Sequence, residues 1–321
     1  MELNETPTEH EHASVSLKVV LLIFAIVLIG ALGYFVWNAN QATDDTTADT
    51  ATTAKPKNTA QYNWSTSTQG PYKDKISYAT SKDLLTWSDQ KTILASHASV
   101  PGAIIKEGTI YLYFVDVATD GVAEKTGLMT SKDNGLTWSE KTNVKFTGIG
   151  DKVPVDPAPF LMDDGKIRLY YFDINEGRSG TKSTNKIYSA VSTDGVSFTQ
   201  EDGVRFAKND IFDPFVLKDG STWRLYAGQI EGNSVVSATS TDGLTFTEEG
   251  TAYTGGAVPF VHKEGDTYYL FTAGINIATS TDGSKFTSTG KSFLSTAGKV
   301  TADPSVLKLA DGTYLMFYKT N

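Results

Sequence analysis

The chain has 321 residues, a formal net charge of −9, 40% hydrophobic and 20% charged residues, and no cysteine. This composition excludes global disorder, a disulfide framework, thiol catalysis and cysteine-based zinc or iron–sulfur sites. The acidic balance argues against a nucleic-acid partner, because it repels phosphate backbones. The four histidines, His10, His12, His97 and His262, fall in no metal-ligand spacing, so neither a metal centre nor another cofactor is expected. Abundant Gly, Tyr, Phe, Thr and Ser lean towards β structure.

Residues 1–18 form a short tail carrying Glu2, Glu5, Glu9 and Glu11, with Lys18 at its end. Residues 19–37 (VVLLIFAIVLIGALGYFVW) carry no charge. At about 1.5 Å per residue such a run crosses a hydrocarbon core of roughly 30 Å, counting its flanks. Tyr34 and Trp37 suit the membrane–water interface. A cleaved signal peptide is the rival. It calls for a basic start and an apolar region of only about 7–15 residues, whereas no basic residue precedes Lys18 and no small-x-small site follows Trp37. A transmembrane signal-anchor is therefore expected. Lys18 on one side against Asp44, Asp45 and Asp49 on the other favours a cytoplasmic N-terminus and an extracytoplasmic C-terminal domain. Residues 38–61 contain no aromatic and no Val, Ile, Leu or Met. They read as a flexible Thr/Ala/Asp-rich tether with a root-mean-square reach of about 25–30 Å.

From Tyr62 onward a four-piece unit recurs. Its first piece is an apolar strand opened by Val-Pro or Asp-Pro: SVPGAII, VDPAPFL, FDPFVL, AVPFV and ADPSVL. The residue before proline in each copy (Val100, Asp156, Asp213, Val258, Asp303) returns every 45–57 residues. The second piece is an aromatic-rich strand after Gly, such as GTIYLYFVD or GTYLMFYKT. The third runs into a Ser-x-Asp turn, and the fourth opens on an aromatic (LTWSD, LTWSEK, VSFTQE, LTFTEE, SKFTST). Four short strands per unit make one propeller blade. The first unit, Ile76–Ser88, lacks its first two strands, and the last, Ala302–Asn321, lacks its last two. The two halves complete each other. The sequence predicts an all-β, five-bladed propeller over 62–321, closed by its N- and C-terminal strands.

SKDNGLTW (Ser131–Trp138) fits the Asp box, S-x-D-x-G-x-T-W, and resembles the turns of sialidases; the other copies are shorter or lack the Gly. These turns lie away from the funnel, where their side chains would bond turn N–H groups. The five-fold count and Asp-Pro starts resemble the five-bladed glycoside hydrolases of the arabinanase/β-xylosidase and invertase/levansucrase type. That resemblance implies a funnel lined by the first strands, carbohydrate as partner, and three acidic side chains acting on a glycosidic bond. The matching catalytic candidates are Asp156, Asp213 and Asp303. The family pattern of two Asp and one Glu is not met: no first-strand position is Glu, and Val100 stands where the first blade's Asp is expected. The sialidase arginine triad is not expected either, since Arg168, Arg178, Arg205 and Arg224 fall within two blades.

Glycoside cleavage needs a proton donor on the leaving oxygen and a second carboxylate to activate water or attack. By the ring pattern Asp303 would be the base, Asp156 the tuning group, and Asp213 the acid in place of Glu. Asp-Pro is also a plain way to start a blade, with Asp bonding a neighbouring N–H and Pro setting φ. Asp116, Asp173, Glu176, Arg178, Gln229 and Glu231 follow second strands and are rim candidates for substrate binding, with Glu176 and Glu231 as reserve acids. Tyr113, Tyr170, Tyr171, Tyr226 and Trp223 are expected mostly to pack between blades. The function expected is a membrane-anchored, monomeric glycoside hydrolase-like protein. A non-catalytic carbohydrate-binding or protein-interaction propeller is the alternative. For the anchor, carbonate extraction should leave the full-length chain in the membrane fraction, and protease added to spheroplasts should release a soluble core. A chain recovered wholly in the cytosol would refute it.

Overall fold

A computed structural model describes residues 70–117, 124–177, 184–296, 298 and 300–321. The predicted span 19–37, the tether 38–61 and Arg178 lie outside them. No helix among the described residues is long and apolar enough to cross a membrane.

The strands follow in chain order. After a 3-10 turn at Gly70–Tyr72 come β1 (Lys75–Ser81) and β2 (Trp87–Ser96). Blade I holds β3 (Ala98–Lys106), β4 (Thr109–Asp116), β5 (Lys125–Ser131) and β6 (Thr142–Asn143). A short β7 (Lys145–Thr147) then joins the outer edge of blade II, whose own strands are β8 (Pro154–Leu161), β9 (Ile167–Asp173), β10 (Thr184–Ser192), β11 (Ser197–Gln200) and β12 (Phe206–Asn209). One helical turn, α1 (Ile174–Gly177), follows β9. Blade III is β13 (Ile211–Asp219), β14 (Thr222–Gln229), β15 (Ser234–Ser240) and β16 (Thr247–Tyr253). Blade IV is β17 (Phe260–Glu264), β18 (Thr267–Thr272), β19 (Asn276–Ser280) and β20 (Thr287–Ser292). The chain ends in β21 (Ala302–Lys308) and β22 (Tyr314–Thr320).

The fifth blade has the order β2-β1-β22-β21. Its seam is continuous and antiparallel, from Lys75↔Thr320 to Ser81↔Tyr314. The two half-units thus complete one sheet, so neither β1 nor β22 is left as an open edge.

Hydrophobic residues from facing blades form one core cluster at each of the five blade interfaces. Inner strands are apolar on both faces for that reason: β9 (IRLYYFD) is buried throughout, whereas β20 is exposed almost throughout. Each fully buried Leu, Ile or Phe contributes about 1.5–3 kcal/mol.

A polar stitch accompanies this packing. Every third-to-fourth-strand turn carries a Ser whose hydroxyl bonds the Asp two residues on and accepts the N–H of Leu84, Gly135, Gly195, Gly243 or Gly283. Those five residues all have positive φ, 64–89°. Their carbonyls receive a donor in one of two ways. In blades II, III and IV the Tyr of the preceding blade donates: Tyr113 to Gly195 (2.8 Å), Tyr170 to Gly243 (2.8 Å) and Tyr226 to Gly283 (2.6 Å). In blades V and I the preceding blade offers Phe271 and Phe317, which have no hydroxyl. There the blade's own Trp donates: Trp87 to Leu84 (3.2 Å) and Trp138 to Gly135 (3.1 Å). The aromatic of the preceding blade also meets one of the blade's own edge to face: Tyr113 with Phe198, Tyr170 with Phe246, Tyr226 with Phe286, Phe271 with Trp87 and Phe317 with Trp138, at centroid distances of 5.6–6.2 Å. Tyr therefore pairs with Phe, and Phe with Trp, so that each turn carbonyl has a donor.

Tyr113→Phe should leave the Gly195 carbonyl unpaired and cost about 1–3 kcal/mol. Adding Phe198→Trp should recover much of that loss, by copying the Phe317–Trp138 pair. Thermal unfolding of the two variants checks this. An unchanged melting temperature in the single variant would show that the stitch carries no stability.

Candidate active site

The chain enters the propeller axis at five equivalent points. Val100, Asp156, Asp213, Val258 and Asp303 all adopt left-handed φ, between 46° and 62°, and each precedes a proline. In four blades the pairing of first and second strands slips here, between Ser99 and Gly102, Val155 and Ala158, Phe212 and Phe215, and Ala302 and Ser305. This is a bulge, which bends the strand and re-aims one side chain. All five residues line one axial cavity. Asp tolerates the left-handed region better than a β-branched residue does, so the conformation itself favours Asp; Val100 and Val258 adopt it at a steric cost. Gly102 is required for a different reason: a Cβ there would lie 2.1 Å from the Pro157 carbonyl oxygen, where blades I and II approach each other.

The sequence-derived triad is therefore brought together. Asp213 donates its carboxyl proton to Asp156, which also accepts the Asp213 backbone N–H. Burial, then the nearby negative charges, push both carboxyls upward. For Asp156 the main charge is Asp303; for Asp213 it is Asp156 followed by Asp303. The two carboxyls share a proton, since burial and mutual repulsion oppose charging both. Two carboxyls in hydrogen-bond contact cannot flank a glycosidic bond, which requires about 5–9.5 Å between acid and partner.

Asp303 is 4% exposed and pairs with Lys319 Nζ at 2.7 Å. Burial works against the Lys319 charge, but Asp303 and then Asp74 outweigh it and hold this ammonium above its usual range. Neither Lys319 nor Asp74 is among the residues expected from sequence. Lys319 did leave a signal: aligned second strands place Val115, Phe172, Gly228 and Ala273 in its column, so an ionisable group stands where the other blades are small or apolar. Asp74 precedes β1 and belongs to no repeat.

The rim candidates are placed differently. The ends of β4, β9 and β14 lie beside the starts of β3, β8 and β13, so Asp116, Asp173 and Gln229 sit level with the ring. None lines the cavity. Asp116 is buried and ion-paired with Lys141 at 2.6 Å. Asp173 accepts the N–H groups of Val153 and Asn175, while burial pushes its carboxyl up. Glu176, on α1, accepts from the Lys186 N–H, Lys186 Nζ and the Tyr188 hydroxyl, each at 2.9 Å. Glu231 is exposed in the turn after β14. Tyr113, Tyr170, Tyr171, Tyr226 and Trp223 are all buried. Arg168 and Arg224 are engaged with Glu201 and Glu249, and Arg205 with the Asp202 and Gly203 carbonyls.

No family model and no curated protein matches the chain. Solved structures do. A thermostable family-43 glycoside hydrolase is similar with a TM-score of 0.54 and 15% identity, over 70% of this chain and 88% of that one. The GH43_1 enzyme of Xanthomonas citri is similar with a TM-score of 0.53 and 18% identity, over 68% and 80%. A GH32 β-fructofuranosidase of Bombyx mori gives a TM-score of 0.52 and 16% identity, over 68% and 54%. The fold is that of the five-bladed glycoside hydrolases. At this identity the likeness is one of fold, and the match spans about half the length of the Bombyx mori enzyme.

The charge cluster has a consequence for stability. Asp213 takes up its proton at higher pH when folded than when unfolded, where the usual value is about 3.9. That stabilises the fold below the unfolded value and is lost as pH rises through the folded one. Asp213→Asn should therefore raise the melting temperature at pH 7.5, on a scale of about 2–4 °C per kcal/mol, and change it much less at pH 4.5. Equal shifts at both pH values in thermal scans would exclude this origin.

Proposed function

We propose that this protein is a membrane-tethered, extracytoplasmic glycoside hydrolase-like propeller acting on glycans through its axial carboxylates. One observation carries this reading: Asp156, Asp213 and Asp303 converge from three blades on one cavity, with Asp156 and Asp213 in carboxyl contact. Asp213 is suited to protonate a leaving glycosidic oxygen. Asp156 keeps it protonated towards neutral pH. Asp303 is the carboxylate left to activate water or attack. The Xanthomonas citri enzyme of the same fold was solved with xylose and with xylotriose, which supports carbohydrate as the ligand class. The uncharged 19–37 run and the tether after it would hold the domain within reach of surface glycans.

A second reading, a carbohydrate-binding propeller without turnover, is favoured by the size of the axial void. It measures about 40 Å³, well below the roughly 300–1,000 Å³ of ligand pockets. A sugar ring must then sit above the carboxylates. There an Asp acid, one methylene shorter than Glu, has less reach.

An aryl-glycoside panel separates the two readings. Hydrolysis by the wild type, with each of Asp156→Asn, Asp213→Asn and Asp303→Asn lowering the rate about 10²–10⁴-fold while the fold persists, is the expected result. Full activity in all three variants would remove the axial site from consideration. Glycan-array binding without turnover would favour the second reading.

A further inference from the structure

Blade I gives the ring no carboxylate. Its position is Val100, packed against the apolar group of Val115, Val155 and Phe172. One residue earlier, buried Ser99 donates its hydroxyl to Asp74 Oδ2 at 2.9 Å. Asp74 is held on both sides: its N–H bonds the Gly70 carbonyl at 3.0 Å, and its own carbonyl accepts the Ala98 N–H at 3.1 Å. It is 6% exposed. A buried carboxylate is thus fastened to the inner strand of blade I at the level of the ring, by a segment outside the repeats.

We propose that Asp74 and Lys319 are positioning residues of the funnel: Lys319 holds Asp303, and Asp74, docked on Ser99, shares that ammonium and supplies the carboxylate that blade I lacks. This rests on the funnel being the glycan site. Lys319 lies on β22 opposite Ala302 and Ile76, between the strand that bears Asp303 and the strand that follows Asp74. It faces Asp303 from β21, Asp74 from the segment before β1, and Asp213 from β13; its charge also reaches Asp156 on β8. Asp74 faces Lys319, Ser99 and Asp303. Burial pushes the Asp74 carboxyl up to about 6, against the pull of Lys319. With Asp74 ionised, Lys319 divides between two carboxylates. With Asp74 protonated, Lys319 serves Asp303 alone. The blade V–I sector therefore responds to pH through Asp74, a group outside the repeats.

The test reads Asp74 itself, in full-length protein labelled with [4-13C]aspartate, its carboxyl resonance identified by its loss in Asp74→Asn. The expected midpoint is about 6. It should rise by about one unit in Lys319→Met and fall in Asp303→Asn, while Lys319→Arg stays near the wild type. Should Lys319→Met not fold, Asp303→Asn and Lys319→Arg carry the comparison. A midpoint near 4, or one that neither Asp303→Asn nor Lys319→Met moves, would overturn the proposal. Where the glycoside panel yields a substrate, Asp74→Asn should also displace the acidic limb of the kcat/KM profile. The titration needs no substrate. Absent turnover thus counts against hydrolysis and leaves the coupling intact, whereas an uncoupled Asp74 in an active enzyme counts against the coupling alone.

Discussion

The propeller depends on one backbone conformation repeated five times. At Val100, Asp156, Asp213, Val258 and Asp303 the chain passes through the left-handed region directly before a proline. Such a residue costs of order 1–3 kcal/mol unless its surroundings over-determine it. Here the surroundings are the two flanking blades: four of the bends coincide with a slipped register that only the continuing strand pair can enforce. The bend points side chains at the axis whether or not they carry chemistry. The axis is therefore available for a site by construction, and the choice of Asp or Val decides whether it is charged.

This separates what was legible in the sequence from what was not. The blade count and ring closure were readable because each blade repeats the same backbone demands: a proline after the bend, a Gly before the second strand, a Ser-x-Asp turn. That the last strand pairs with the first follows from the complementary half-units, and the structure pairs Ile76–Thr80 with Leu315–Lys319. The three ring carboxylates were readable for the same reason. Asp74 was not, because it lies outside the repeats and its position is set by a tertiary bond to Ser99. Lys319 was present as an odd member of an otherwise small or apolar column, but only the seam between β1, β21 and β22 shows that it meets Asp303. Asp116, Asp173 and Glu176 illustrate the converse: their chain positions suit a rim, yet in the fold they bond neighbouring backbone and lysine groups.

The alternation of Tyr–Phe and Phe–Trp pairs shows how an imperfect repeat keeps a constant energy balance. A Cβ at Gly195, Gly243 or Gly283 would come within 3.0 Å of the tyrosine hydroxyl that bonds the turn. At the corresponding position of the fifth blade stands Leu84, and the preceding blade has Phe271, with no hydroxyl to displace. The difference is local, but it goes with a different neighbour in the preceding blade, Phe271, and a different third residue in its own, Trp87. Divergence along the repeats is thus constrained by the unpaired carbonyl that each change would otherwise leave.

Charge and stability are opposed at the axis. Four buried or half-buried carboxylates, Asp74, Asp156, Asp213 and Asp303, share one ammonium, Lys319. The cluster relieves itself partly by holding a proton between Asp156 and Asp213, and partly by the Lys319–Asp303 pair. Neither device would be needed in a propeller whose ring carried Val in every blade, as Val100 and Val258 demonstrate in this one. The five interblade cores supply stability far from the axis, and the axial groups draw on it. A domain assembled only for strength would replace the ring carboxylates first, since burial opposes the charge that Asp156 and Asp213 would carry.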